Sequence, residues 1–144
     1  MLLGLPNTDQ LSQLISQATA PAFLLGAVAG FISILITRMT AILDRIRSLN
    51  EIGEHDDART QLKSDIPRLK RRASLLNRAI FLALASGISA TFLLILGFVC
   101  ALLGFRHEYG AALLFLVSVG LLGASLFRFA QEVGIGLSEI DHYR

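Results

Sequence analysis

Charge is scarce in this chain. Of its 144 residues, Asp, Glu, Lys and Arg make up 17%, where a soluble domain carries roughly a quarter. The deficit is local. Residues 10–37, 79–105 and 109–127 contain no charged residue, which makes runs of 28, 27 and 19 positions. About 20 apolar residues at roughly 1.5 Å rise each cross a bilayer. Each run is long enough, or nearly so, and a soluble single domain is excluded. Cysteine is almost missing too. Cys100 stands alone inside the second run, which excludes a disulfide-stapled secreted scaffold. No Lys or Arg precedes the first run. It therefore lacks the basic start of a cleaved signal peptide and reads as a retained span.

Chemistry-bearing patterns are missing as well. The runs hold no mid-membrane Asp, Glu, Lys, Arg or His, the groups on which proton pumps and coupled transporters rely. His55, His107 and His142 are far apart in the chain, and no two have metal-ligand spacing. Glu54-His55-Asp56-Asp57 reads as a solvated acidic turn rather than a cation site. There is no nucleophile with a base, no phosphate loop and no pair of intramembrane carboxylates. The expectation is a protein that is not an enzyme and that carries no metal or cofactor.

What charge there is falls on one side. Of 13 Lys and Arg, 10 lie between Arg38 and Arg78, and Arg128 and Arg144 follow the third run. Only Arg106 lies in the link between the second and third runs. Basic loops are retained in the cytoplasm during insertion. The expected layout is an outer interfacial segment at 1–17, then a first transmembrane helix at 18–37. A cytoplasmic helical hairpin follows at 38–78, then a second span at 79–105. An outer loop at 106–110, a third span at 111–127 and a cytoplasmic tail at 128–144 complete it. Asn7, Thr8 and Asp9 offer caps for a short surface helix, and Pro21 is expected to bend the chain into the first span.

The cytoplasmic segment carries its own periodicity. Ile32, Leu35, Met39, Ile42, Ile46 and Leu49 recur at three and four, as do Leu62, Ile66, Leu69, Ala73, Leu76, Ile80 and Ala83. This heptad rhythm crosses both membrane boundaries without losing phase. The first and second spans should extend into an antiparallel hairpin that sets Ile42 near Leu76, Ile46 near Ala73 and Leu49 near Leu69. Its turn falls in 51–57. Pro67 fits the first turn of a helix capped by Ser64 or Asp65, or else kinks a longer one; the cap is favoured.

Three groups of residues are candidates for function. Small residues at four-residue spacing, Ala22-Gly26-Gly30, Ala83-Gly87 and Gly120-Ala124, permit close backbone approach, which is what drives helix association in lipid. They serve either contacts between subunits or packing within one chain. Arg38, Asp44, Arg78, Arg128 and Glu132 lie at similar depth near the inner headgroups. They read as snorkelling arginines with locking ion pairs rather than as an ion gate, with Arg78 the best partner for Asp44 if Asp44 faces the hairpin seam. Arg68, Lys70, Arg71 and Arg72 form a basic cluster close to the bilayer and suit anionic lipid. Nothing suggests nucleic acid, since no aromatic residues interleave them.

Three stretches carry a family resemblance. They are Pro21-Ala22-Phe23-Leu24-Leu25 running to the Thr37–Arg47 segment, then Arg71-Arg72-Ala73-Ser74-Leu75-Leu76-Asn77-Arg78-Ala79-Ile80, then Glu132-Val133. Over about residues 10–140 the chain resembles a small bacterial membrane family, domain of unknown function 2721. The resemblance implies a three-pass membrane protein with a cytoplasmic hairpin and supplies no activity. Pro67 and the acidic tip depart from a plainer charged hairpin.

The expected fold is therefore an all-α integral membrane protein of three transmembrane helices. Extensions of the first two form the hairpin. The expected role is a non-catalytic scaffold in the bacterial inner membrane, a homo-oligomer whose hairpin self-assembles or docks a cytoplasmic protein. The alternative is an oligomeric ion channel lined by a subset of Ser33, Thr37, Ser86, Ser89 and Thr91, with the hairpin as vestibule. One copy has too few helices to enclose a pore.

Overall fold

A computed structural model describes residues 7–53, 61–106 and 108–142, which form three long α-helices. These are α1 (Thr8–Asn50), α2 (Ile66–Leu103) and α3 (Glu108–His142), with a 3-10 turn at Gln61–Asp65 before α2. All three are long and apolar enough to cross a membrane. The described residues contain no strand.

The helix ends follow from local chemistry. Asn7 precedes α1, and its backbone N–H donates to the Gln10 side-chain oxygen at 3.4 Å, half of a capping box. Gln10 is thus part of α1, and so is the segment expected to lie apart as a surface helix. α1 runs through Pro21 without interruption. A proline inside a helix removes one hydrogen bond. Here Pro21 is buried, so its ring adds packing that offsets the lost bond. Pro67 falls in the first turn of α2, where its missing N–H has no intrahelical partner to lose; Ser64, one of the two expected caps, instead donates to the Gln61 carbonyl at 2.7 Å. α2 ends in a Schellman motif. Gly104 takes φ +74°, and the Phe105 N–H reaches back to the Cys100 carbonyl at 3.0 Å. α3 continues as helix through residues 128–142, beyond the apolar run.

The chain divides into two compact units, Met1–Phe31 with Ala83–Gly123, and Ile32–Leu82 with Ala124–Arg144. In the first, Val28 of α1, Ala83, Ser86, Ala90 and Leu93 of α2, and Ser118 of α3 are buried. Ser86 and Ser118 are reciprocal: each hydroxyl donates to the other residue's backbone carbonyl at 2.7 Å. Gly87 belongs to the same core, because a Cβ there would lie 3.4 Å from a Val28 methyl. In the second unit, the core is Leu35, Ile42 and Leu49 of α1 with Leu69, Leu76 and Ala79 of α2. Ser125 of α3 donates to the Ala79 carbonyl at 2.5 Å.

Burial follows the expected rhythm along both arms, with one exception. Leu62 lies in the 3-10 turn and is 40% exposed, because that turn does not continue the phase of α2. Residues 51–53 begin the expected turn, while the rest of the acidic tip and His107 lie outside the described residues.

Candidate functional site: a buried glutamate between two arginines

The most unusual side chain in the second unit is Glu132. Its carboxylate has 0% exposure, and a charge taken out of water needs compensating partners. Two arginines supply them, one from each of the other helices. Arg38 of α1 forms a two-pronged contact, with Nε donating to Oε2 at 3.0 Å and Nη2 to Oε1 at 3.2 Å. Arg72 of α2 donates from Nε to Oε1 at 2.9 Å, with Nη2 2.8 Å from the same oxygen. The fixed fork of the guanidinium matches a carboxylate in this way, and charged hydrogen bonds of this length are the strong ones.

The network extends further. Arg72 Nη1 lies 3.4 Å from Glu139, and Arg68 Nε lies 3.5 Å from the other Glu139 oxygen. Charges therefore alternate through Arg38, Glu132, Arg72, Glu139 and Arg68. Glu132 and Glu139 are seven residues apart on one face of α3. Gly136 lies between them, and a Cβ there would come within 3.2 Å of Arg72 Nη2. Glycine leaves the room that the guanidinium occupies. Arg38 also stacks on Phe129, 5.3 Å from the ring centroid, a cation–π contact. The geometry clamps three helices through one desolvated carboxylate.

Of the five charges expected together, Arg38 and Glu132 do meet. Asp44 does not face Arg78. It is two-thirds exposed and pairs weakly with Arg47 at 3.9 Å, because it lies two residues from buried Ile42 and so points away from the seam. Arg78 is exposed, and Arg128 donates to Gln131 at 3.2 Å. The basic cluster splits. Arg68 and Arg72 turn inward to the glutamates, and Lys70 and Arg71 stay exposed. Sequence reasoning missed Arg72 and Glu139 as partners. The signal was present in the heptad phase, since Arg72 lies three residues from Leu69 and four from Leu76, on the seam itself.

The small residues also divide. Ala83 is buried and Gly87 packs on Val28. Ala22, Gly26 and Gly30 are exposed on α1, as are Gly120 and Ala124 on α3, and none of these three glycines has an atom within 4 Å of a built Cβ. Among the hydroxyls proposed for a pore, Thr37, Ser89 and Thr91 each bond to a carbonyl of their own helix, a common device in membrane helices. No group of His, Cys, Asp or Glu among the described residues could hold a metal ion.

The DUF2721 family, described as a protein of unknown function, matches residues 18–142. The chain belongs to this family. The match spans all three helices, including the stretches of α1, α2 and α3 that supply Arg38, Arg72 and Glu132. No curated protein and no solved structure matches the chain.

Proposed function

We propose that this DUF2721 protein is a non-catalytic scaffold of the bacterial inner membrane. Its N-terminus faces out, its hairpin and C-terminus face the cytoplasm, and it assembles as a homo-oligomer. The observation that carries the reading is the exposed Ala22-Gly26-Gly30 face of α1, with open space at both glycines. Lipid gives helices no hydrophobic reason to associate, and small residues let backbones close up instead. Within one chain that role falls to Ala83 and Gly87, so the α1 face is left for a second copy. Large exposed apolar side chains such as Phe23, Phe81, Phe92 and Leu116 support the membrane setting, since a water-soluble monomer rarely leaves so many large apolar side chains exposed. The charged clamp holds the inner part of each copy rigid enough to present its hairpin to another copy or to a cytoplasmic protein.

The test is the mass of the intact complex in mild detergent, wild type against Gly30→Ile. The branched side chain blocks close approach, and the complex should dissociate or change stoichiometry. An unchanged assembly would mean that the face meets only lipid. The same protein in sealed liposomes should leave the bilayer tight to ions. Selective flux would favour the pore reading, although Ser86, one of its candidate liners, is enclosed with Ser118.

A further inference from the structure

The second unit has two clefts of about 590 Å3, and they differ in charge balance. The first is lined by Arg38, Arg45 and Arg72, but also by Asp65 and Glu139, and two of its arginines already hold Glu132. The second lies between α2 and α3. Arg71 and Arg78 of α2 and Arg128 of α3 line it, with Ser74, Gln131 and Ser138 as further polar groups and no carboxylate. No described carboxylate lies within ion-pair distance of these three arginines. Arg128 donates to the side-chain oxygen of Gln131, which aligns the two groups along one wall.

Three guanidinium groups around one cleft with no carboxylate give it a positive potential that draws an anion. Their forks suit the tetrahedral oxygens of a phosphate. Their place along the chain suggests where that phosphate comes from. Arg78 immediately precedes the charge-free run 79–105, and Arg128 immediately follows 109–127. One turn past Arg78, Phe81 is largely exposed, an apolar surface of the kind an acyl chain covers. We propose that this cleft binds the phosphodiester headgroup of an anionic phospholipid from the cytoplasmic leaflet. The proposal rests on the membrane reading above. It moves specific lipid recognition from the Arg68–Arg72 cluster to Arg71, Arg78 and Arg128. Basic pockets between membrane helices on the cytoplasmic side bind lipid headgroups by this chemistry.

The test is native mass spectrometry of the full-length protein in detergent, with phosphatidylglycerol or phosphatidylcholine added. Wild type should retain phosphatidylglycerol preferentially; equal retention of the two lipids would overturn the site without recourse to any variant. Arg71→Gln/Arg78→Gln/Arg128→Gln should weaken phosphatidylglycerol binding by about a hundredfold, from roughly a fivefold share for each of the three basic residues. Arg45→Gln/Arg47→Gln/Arg106→Gln removes the same charge elsewhere and should bind as wild type. Equal loss in both variants would reduce the effect to general attraction and overturn the site. Displacement of the lipid by millimolar glycerol phosphate would overturn the lipid as source and assign the cleft to a soluble phosphate. Alkaline carbonate extraction of membranes separates the two readings. Release of the protein would overturn the membrane setting and the lipid site together. A retained protein whose two variants bind lipid alike overturns the site alone.

Discussion

At the scale of the residue, burial decides which charges matter. Glu132 and Asp44 are both carboxylates beside arginines, yet one has 0% side-chain exposure and the other 66%. Removing one partner from a buried pair costs about 3 kcal/mol or more, because the remaining charges stay desolvated without compensation. Glu132→Gln preserves shape and removes the charge that Arg38 and Arg72 share. It should destabilise the protein by about 3 kcal/mol, a fall of roughly 10 °C in melting temperature for a chain of this size. Asp44→Asn should change stability by less than about 0.5 kcal/mol, since its partner is solvated and distant. Thermal unfolding in detergent, followed by circular dichroism, measures both. Equal melting temperatures for the two variants would show that Glu132 is solvated in the folded protein.

At the scale of the element, helix phase is the organising quantity. The buried α1 positions Pro21, Val28, Leu35, Ile42 and Leu49 are each seven residues apart, and so are Ser118, Ser125 and Glu132 on α3. A seven-residue repeat keeps one narrow seam facing its neighbours along a whole helix. On α3 the seam residues are small or charged, so that helix contributes close approach and ion pairing in place of bulk. Two glycines on α3 test this. Gly134 has open space around it, and Gly136 would press a Cβ on Arg72. Alanine favours a helix interior over glycine by about 0.8–1 kcal/mol. Gly134→Ala should raise stability by close to that amount. Gly136→Ala should gain less or lose stability, because the guanidinium must move away from Glu132. A Gly136→Ala gain as large as that of Gly134→Ala would mean that Arg72 relaxes at no cost. The reciprocal serines provide a third comparison. Ser118→Ala removes one buried donor to the Ser86 carbonyl and should cost about 0.6–1 kcal/mol in the same melting assay.

At the scale of the whole molecule, the asymmetry of Lys and Arg predicts orientation. Twelve of 13 lie in segments assigned to one side, and basic segments stay cytoplasmic. In a Cys100→Ala background, cysteines introduced as Glu51→Cys and Glu108→Cys lie at exposed positions. An impermeant thiol reagent applied outside intact cells should label position 108 and spare position 51. Labelling of position 51 from outside would reverse the topology. The oligomer and the lipid cleft would then face opposite compartments from those proposed.

The sequence by itself made legible the all-helical character, the three apolar runs, the place of Pro67 in the first turn of a helix and most of the seam. These follow from composition and from periods of a few residues, which are local properties of a chain. It also marked Arg38 and Glu132 as members of one charged layer. It did not pair them with Arg72, and it misplaced Asp44. Pairing depends on which faces of separate helices meet, and a rotation of about 100° per residue turns a near-miss in phase into the opposite face. Arg72 looked like part of a solvated basic cluster because charge is usually exposed. Only the packed structure turned it inward, beside a glycine that leaves space for it. The same holds for Pro21, expected near a helix start and found buried well inside α1. Which small residues pack within the chain and which remain open was likewise a tertiary decision. The four-residue spacing is the same at Gly26 and Gly87, and what differs is whether a neighbouring methyl stands opposite.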